Sequence, residues 1–230
     1  MKRTVVALLA LLLAFTVAAC GSSKSLSGES ASALLKKARA AVAAEKYVSI
    51  SGKINEGGKA TSIDLHYVGD DAYGTIVLAG ATIKLESVGG KTFIKPNDAF
   101  WKQQLSAEQA KVVSGLIGDR WIIADAKDSN FAQLISLTNR DFLTKDMLKP
   151  SAKTKVSKGK VTSVDGEKAI PLTLDKSTLY LDDSSARPIQ VSGSGGGSTG
   201  TAKFSYDKVN APSAPAAKDQ ADLAKLIKGQ

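Results

Sequence analysis

Few side chains in this 230-residue sequence are of types that move protons, attack carbonyls or bind metal. His66 is the single histidine and falls on the polar face of a strand pattern, where it reads as a solvated surface residue rather than a general base. Zinc needs several His or Cys ligands, and the chain has one of each. Ser157 with Lys160, and Ser205 with Lys208, match the Ser-x-x-Lys spacing of penicillin-recognising enzymes. That chemistry uses one helical turn to bring the lysine beside the hydroxyl, and both pairs lie in strand patterns. Residues 195–200 satisfy G-x-G-x-x-G, but a strand-like run follows them. Without a helix N-terminus there is no phosphate cradle, so the stretch reads as a hairpin loop. A Walker pattern fails as well, because Thr201 stands where lysine is required. No enzyme is expected, and no cofactor.

One residue does point to covalent chemistry. Cys20, the only cysteine, ends an apolar run and opens a Gly/Ser stretch. Lys2 and Arg3 precede the apolar residues 5–15, and Ala18 and Ala19 stand directly before the thiol. This is the layout of a secretory signal peptide, and its apolar run is short of the ~20 residues a bilayer span needs. The segment Val17-Ala18-Ala19-Cys20 resembles the lipobox of bacterial lipoproteins. That resemblance implies cleavage before Cys20 and acylation of its thiol with a chain such as palmitate. An unpaired thiol in an oxidising compartment is otherwise a liability.

Removal of residues 1–19 leaves 211 residues and takes the net charge from +9 to +7, since those residues hold Lys2, Arg3 and no acidic side chain. With no intrachain disulfide the fold rests on a hydrophobic core, which 43% hydrophobic residues can supply. No second long apolar run follows the signal. The lysines are scattered and only 6% of residues are aromatic, which argues against a stacking platform for nucleic acid. The positive charge suits either anionic lipid headgroups or general solubility.

The elements follow from periodicity. Residues 21–28 read as a flexible tether. Ser30 or Ser32 can cap a helix running to about Lys46, with Leu34, Leu35, Ala38 and Val42 on one face. The period then changes to two: Ile50 and Ile54, then Ile63 and Leu65, then Ile83 and Leu85 alternate with polar neighbours. The intervening loops permit only antiparallel neighbours, so a meander of about five strands ends near Pro96. A helical insert follows. Ser106 and Gln109 form a capping box, Val112, Val113, Leu116 and Ile117 a stripe, and Gly118 a stop. Phe131, Leu134 and Ile135 suggest a second short helix and Phe142 to Leu148 a third. Strands return from Thr154, with Asp165-Gly166 as a hairpin turn. The tail from Pro212 reads as mobile, with a helical turn or two in residues 219–227.

In this order the elements resemble the LolA/LolB lipoprotein-carrier superfamily and its actinobacterial LppX/LprG-type relatives, over about residues 29–210. "SALLKKARAAVAAEKYVSISGKI" is similar to their opening helix and first strand, and "VGGKTFIKPNDAFW" to their Gly-Gly-Lys hairpin with its trailing aromatic pair. "LYLDDSSARPIQV" followed by "GTAKFSYDKVN" is similar to their closing strands. The resemblance implies an α+β fold: a curved antiparallel half-barrel partly closed by short helices, with an apolar cavity between them. It implies an acylated lipid or glycolipid as cargo, no catalytic residues, and a place at the outer face of the cytoplasmic membrane; a transporter partner is compatible with it. The expected organisation is a signal peptide at 1–19, a lipidated tether at 20–28, a lipid-binding domain at 29–210 and a mobile tail at 211–230. The alternative is a non-catalytic interaction module with a closed core.

The residues expected to line the cavity are Ile50, Ile54, Ile63, Leu65, Ile83 and Leu85 from the sheet, and Val113, Leu116, Ile117, Phe131, Leu134 and Ile135 from the helices. Lys149, Lys153, Lys155, Lys158 and Lys160 crowd one segment, and Lys153, Lys155 and Lys158 are the candidates for headgroup contact. The same lysines could instead keep an edge strand from aggregating. Phe100, Trp101 and Trp121 either guard an opening or pack as core.

Overall fold

The computed structural model describes residues 25–56, 58–124, 131–150, 153–195 and 198–228. Cys20 and the proposed signal peptide lie outside the described residues. Helix α1 (Ala31–Ala44) begins at Ser30, whose Oγ accepts from the Ala33 amide, and buries Leu34, Leu35, Ala38 and Val42. A meander follows: β1 (Tyr47–Glu56), β2 (Lys59–Val68), β3 (Asp71–Leu78), β4 (Ala81–Val88) and β5 (Lys91–Pro96). The insert comprises α2 (Asp98–Gln104), α3 (Ala107–Ile117), β6 (Trp121–Ala124) and α4 (Ala132–Thr138). Ser106 and Gln109 make both bonds of the capping box, and Gly118 ends α3 at a φ of 59°. The third expected helix, Phe142–Met147, is π-helical.

The second half supplies β7 (Val156–Lys158), β8 (Thr162–Val164), β9 (Glu167–Leu174), β10 (Ser177–Asp182), β11 (Pro188–Gly195) and β12 (Ser198–Ser205). With β13 (Gln220–Ala221) they form one sheet of 13 strands among the described residues, in the order β13-β6-β5-β4-β3-β2-β1-β12-β11-β10-β9-β7, with β8 beside β9. The sheet is curved and open, as the half-barrel expectation requires. The two halves of the chain meet where β1 pairs antiparallel with β12, Ile50 opposite Phe204. Alternation puts Ile50, Leu65, Ile76, Ile83, Leu85 and Ile94 on the concave face, where they join α1 and the insert helices in one core.

Three glycines permit the curvature. A Cβ on Gly74 would lie 2.1 Å from the Asp64 carbonyl oxygen, one on Gly52 2.4 Å from that of Thr201, and one on Gly200 2.7 Å from that of Lys53. Glycine allows neighbouring strands to approach where a side chain would hold them apart. The glycine run expected as a loop is instead ladder up to Gly195 and again from Ser198, where β11 and β12 pair as a hairpin.

Two expectations about the ends are corrected. The tail is docked: β13 pairs in parallel with β6, Ala221 is buried, and Leu223 of α5 (Leu223–Lys228) packs on the core. Its Ala/Pro-rich approach hid a strand of only two residues. The start of the described chain is docked too. The Leu26 amide donates to the Asp183 carbonyl (2.8 Å), Ser25 Oγ donates to Asp183 Oδ1 (2.8 Å), and Leu26 packs on the core. Arg140 ties α1 to the β2–β3 turn, its guanidinium donating to the carbonyls of Val42 (2.8 Å) and Gly69 (3.1 Å). Cationic donors suit the free carbonyls at a helix C-terminus.

Candidate binding cavity

The register identifies one end of the concave face. Ser177 lies opposite Gly193, Gly193 opposite Gly200, Gly200 opposite Ile54, Ile54 opposite Thr61, Thr61 opposite Leu78, and Leu78 opposite Ala81. In this row Ile54 and Leu78 are 38% and 36% exposed. An apolar cavity of about 440 Å³ opens beside Leu78. Its floor is Leu78 and Ile83, its walls are Phe100, Trp101 and Leu105 of the α2 segment and Val113 of α3, and Phe131, Leu134 and Leu223 close it from above. Gln104 and Gln133 are its polar members. The volume falls in the range of roughly 300–1,000 Å³ usual for small-molecule sites. A second opening of about 300 Å³ lies at the same end, between Met147, Leu148 and Pro150 on one side and Leu174, Leu179, Val191 and Phe204 on the other.

Local sequence positions these walls. Asn97 Oδ1 accepts from the Phe100 amide (3.1 Å) and starts α2, so that Phe100 and Trp101 turn inward, packed edge to face with centroids 5.1 Å apart. Their two alternatives thus resolve into one, since both are buried and both line the opening. Trp121 does not line it. That residue lies on β6, half-buried, with Lys95 Nζ 5.9 Å from its ring centroid.

Of the residues expected here, Ile83, Val113, Phe131 and Leu134 meet at the cavity. Ile50, Leu65, Leu85 and Ile117 do not; they are buried in the continuous core, because α1 and the insert cover most of the concave face. Ile63 is partly buried against that core, Leu116 is half-buried, and Ile54 stands at the rim. Ile135 packs on the core and borders a separate polar niche with Ser87, Thr92, Thr138 and Arg140. Leu78, Leu105 and Leu223 were missed. Leu78 ends β3, Leu105 follows α2 and Leu223 opens α5, positions where periodicity gives no face.

Lys153 and Lys155 are exposed. Lys158 is engaged with the N-terminal segment, its Nζ donating to the carbonyls of Ser27 and Glu29. His66 lies on the convex face, stacked on Tyr73 at 4.8 Å with Nδ1 2.8 Å from Ser49 Oγ. Asp182, in the β10–β11 turn, is pushed up by burial. The hydroxyls and amides of Ser184 and Ser185 outweigh that and hold its carboxyl below the usual range. Its role is to brace the turn.

No family model matches the sequence, and no curated protein matches it. Solved structures do. LprF from Mycobacterium bovis superposes with a TM-score of 0.50 at 10% identity, over 80% of this chain and 96% of that one. The lipoprotein LppX of Mycobacterium tuberculosis gives 0.48 at 14% identity, over 79% and 99%. A LolA-superfamily protein from Nitrosomonas europaea gives 0.26 at 10% identity, over 77% and 92%. The likeness to LprF is one of fold, and it agrees with the LppX/LprG-type resemblance of the strand and helix order.

Proposed function

We propose that this chain is a lipid-anchored envelope protein that holds an acylated lipid or glycolipid in the cavity between β3, β4 and the insert helices, at the outer face of the cytoplasmic membrane. The observation that carries this reading is an apolar cavity with an open, apolar rim at one end of the concave face, where a second, smaller opening also lies, while α1 and the insert pack over the centre of that face. Each methylene buried there gains ~0.8 kcal/mol, so an eight-carbon stretch gains on the order of 6 kcal/mol before ordering costs. The role is binding: the Ser49–His66–Asp64 cluster lies on the convex face, on the other side of the sheet from the cavity.

Native mass spectrometry of the protein from its own host is expected to show a stoichiometric lipid adduct that organic solvent removes. A bare protein mass from lipid-rich cells would contradict the cavity reading. The anchor is tested separately: Cys20→Ser is expected to abolish palmitate labelling and move the protein from membrane to medium. Persistent labelling would place the acyl chain elsewhere.

A further inference from the structure

Most of the cavity is walled by elements that are fixed from several directions. Phe100 and Trp101 sit in α2, which Asn97 caps, and their rings pack on each other. Val113 sits in α3 behind the Ser106–Gln109 capping box, and Leu134 in α4, which lies against β3 and β4. Leu223 is held differently. It belongs to a C-terminal segment that reaches the cavity by a route outside the ladder.

Strand β12 lies within the sheet and β13 at its edge, and no residue from 206 to 219 is in a strand. Along this stretch the half-buried residues are Tyr206, Val209, Pro212 and Pro215, one in every three. That is the repeat of an extended polyproline-type chain lying with one face on the body. Ala216, Ala217, Lys218 and Asp219 are then all exposed, and Gln220 Nε2 donates back across them to the Pro215 carbonyl (2.7 Å). Beyond them two residues enter the ladder, Gln220 beside Trp121 and Ala221 beside Ile122. The side chains of Ala221 and Leu223 supply the apolar contact. Within α5, Asp222 Oδ1 accepts from the Lys225 amide (3.1 Å), and the Asp222 carbonyl from the Leu226 amide (3.0 Å). Asp222 Oδ2 also pairs with Lys225 Nζ (3.2 Å). These bonds travel with the segment when it moves as one piece.

We propose that the segment from Gln220 onward is a latch on the cavity. It swings away about residues 216–219 while the long strands stay paired, and an acyl chain enters and leaves through the gap that Leu223 vacates. This inference rests on the cavity reading above. A short segment held by a two-residue ladder opens far more readily than the capped helices and long strands around it, and moving parts of binding sites are drawn from such regions. Leu223 both docks the latch and completes the apolar wall, so a bound acyl chain and a closed latch favour each other.

Two measurements test this on the full chain carrying Cys20→Ser, which has no thiol of its own. In hydrogen exchange read by mass spectrometry, the amides of residues 220–228 are expected to exchange roughly a hundredfold or more faster than those of β4 in lipid-free protein. They are expected to slow when pyrene-labelled palmitate is bound. Exchange as slow as that of β4 overturns the latch without any lipid being present. In the second measurement, Trp121→Cys with Gln220→Cys sets two thiols on paired neighbours, at a separation a disulfide can span. Oxidation is expected to slow transfer of pyrene-labelled palmitate to phosphatidylcholine vesicles roughly tenfold or more, and reduction to restore it. Oxidised protein that transfers the probe as fast as reduced protein overturns the latch, as do thiols that stay free under oxidant. Protein that never retains the probe, although residues 220–228 exchange fast, overturns the cavity reading instead.

Discussion

Tryptophan at Leu78 or at Val113 is expected to abolish retention of a fluorescent acyl chain and to leave the melting temperature within a few degrees of wild type. Both residues border the cavity and neither is fully buried, so an added ring can swing into existing space. The sheet residues that sequence alone assigned to the cavity behave differently. Ile50, Leu65 and Leu85 are packed on all sides, and a larger side chain there would force its neighbours off their rotamers. Truncation at those positions is costly too: Ile50→Ala or Leu85→Ala is expected to destabilise by ~2–5 kcal/mol. For a domain of this size that corresponds to a fall of very roughly 5–20 °C. Melts and binding measured on the same variants separate the two groups. Leu78→Trp protein that still retains the acyl chain, at wild-type affinity, would remove the cavity as the lipid site.

Gly74→Val is expected to be among the most damaging single substitutions in the sheet, lowering stability by about 3 kcal/mol or more. A Cβ there would come 2.1 Å from the Asp64 carbonyl oxygen and 2.9 Å from Leu65 Cα. Both contacts are backbone, so relief requires β2 and β3 to part where Leu65 lies opposite Gly74. Gly115 supplies the contrast. It lies in α3 with nothing within 4 Å of its Cβ position, so Gly115→Ala is expected to stabilise by roughly 0.5–1 kcal/mol. Thermal or urea unfolding of the two variants checks both signs. A Gly74→Val protein as stable as wild type would show that the sheet can flatten there without loss.

The strands with strict alternation and short polar turns, β1 to β5, were legible because a half-buried sheet writes a period of two into the chain. Helix α3 was legible through its capping box and Gly118. What escaped was short or context-dependent. Strand β6 is the four-residue run Trp121–Ala124, and β13 has two residues that become strand only by finding the β6 edge. The cavity was legible as a class of site but not in its membership. Alternation tells which face Ile50 and Ile83 share and is silent on how far α1 covers that face. Lys158 likewise looked like its lysine neighbours until the fold brought the carbonyls of Ser27 and Glu29 to it.

The β1–β12 seam has a consequence for how the molecule comes into being. Residues opposite each other there, such as Ile50 and Phe204, are on the order of 150 positions apart, and contacts of such separation form late and slowly. At a synthesis rate of about 5–20 residues per second, β1 waits roughly 10–30 s for its partner. During that interval the first five strands can zip into a meander whose leading edge lacks a neighbour. Lys53, with Gly52 beside it, interrupts that edge midway and discourages pairing with a second nascent chain. The native sheet is thus completed only when its last long strand arrives, and the chain stays unfinished, and easier to thread through a pore, for nearly the whole time it is being made.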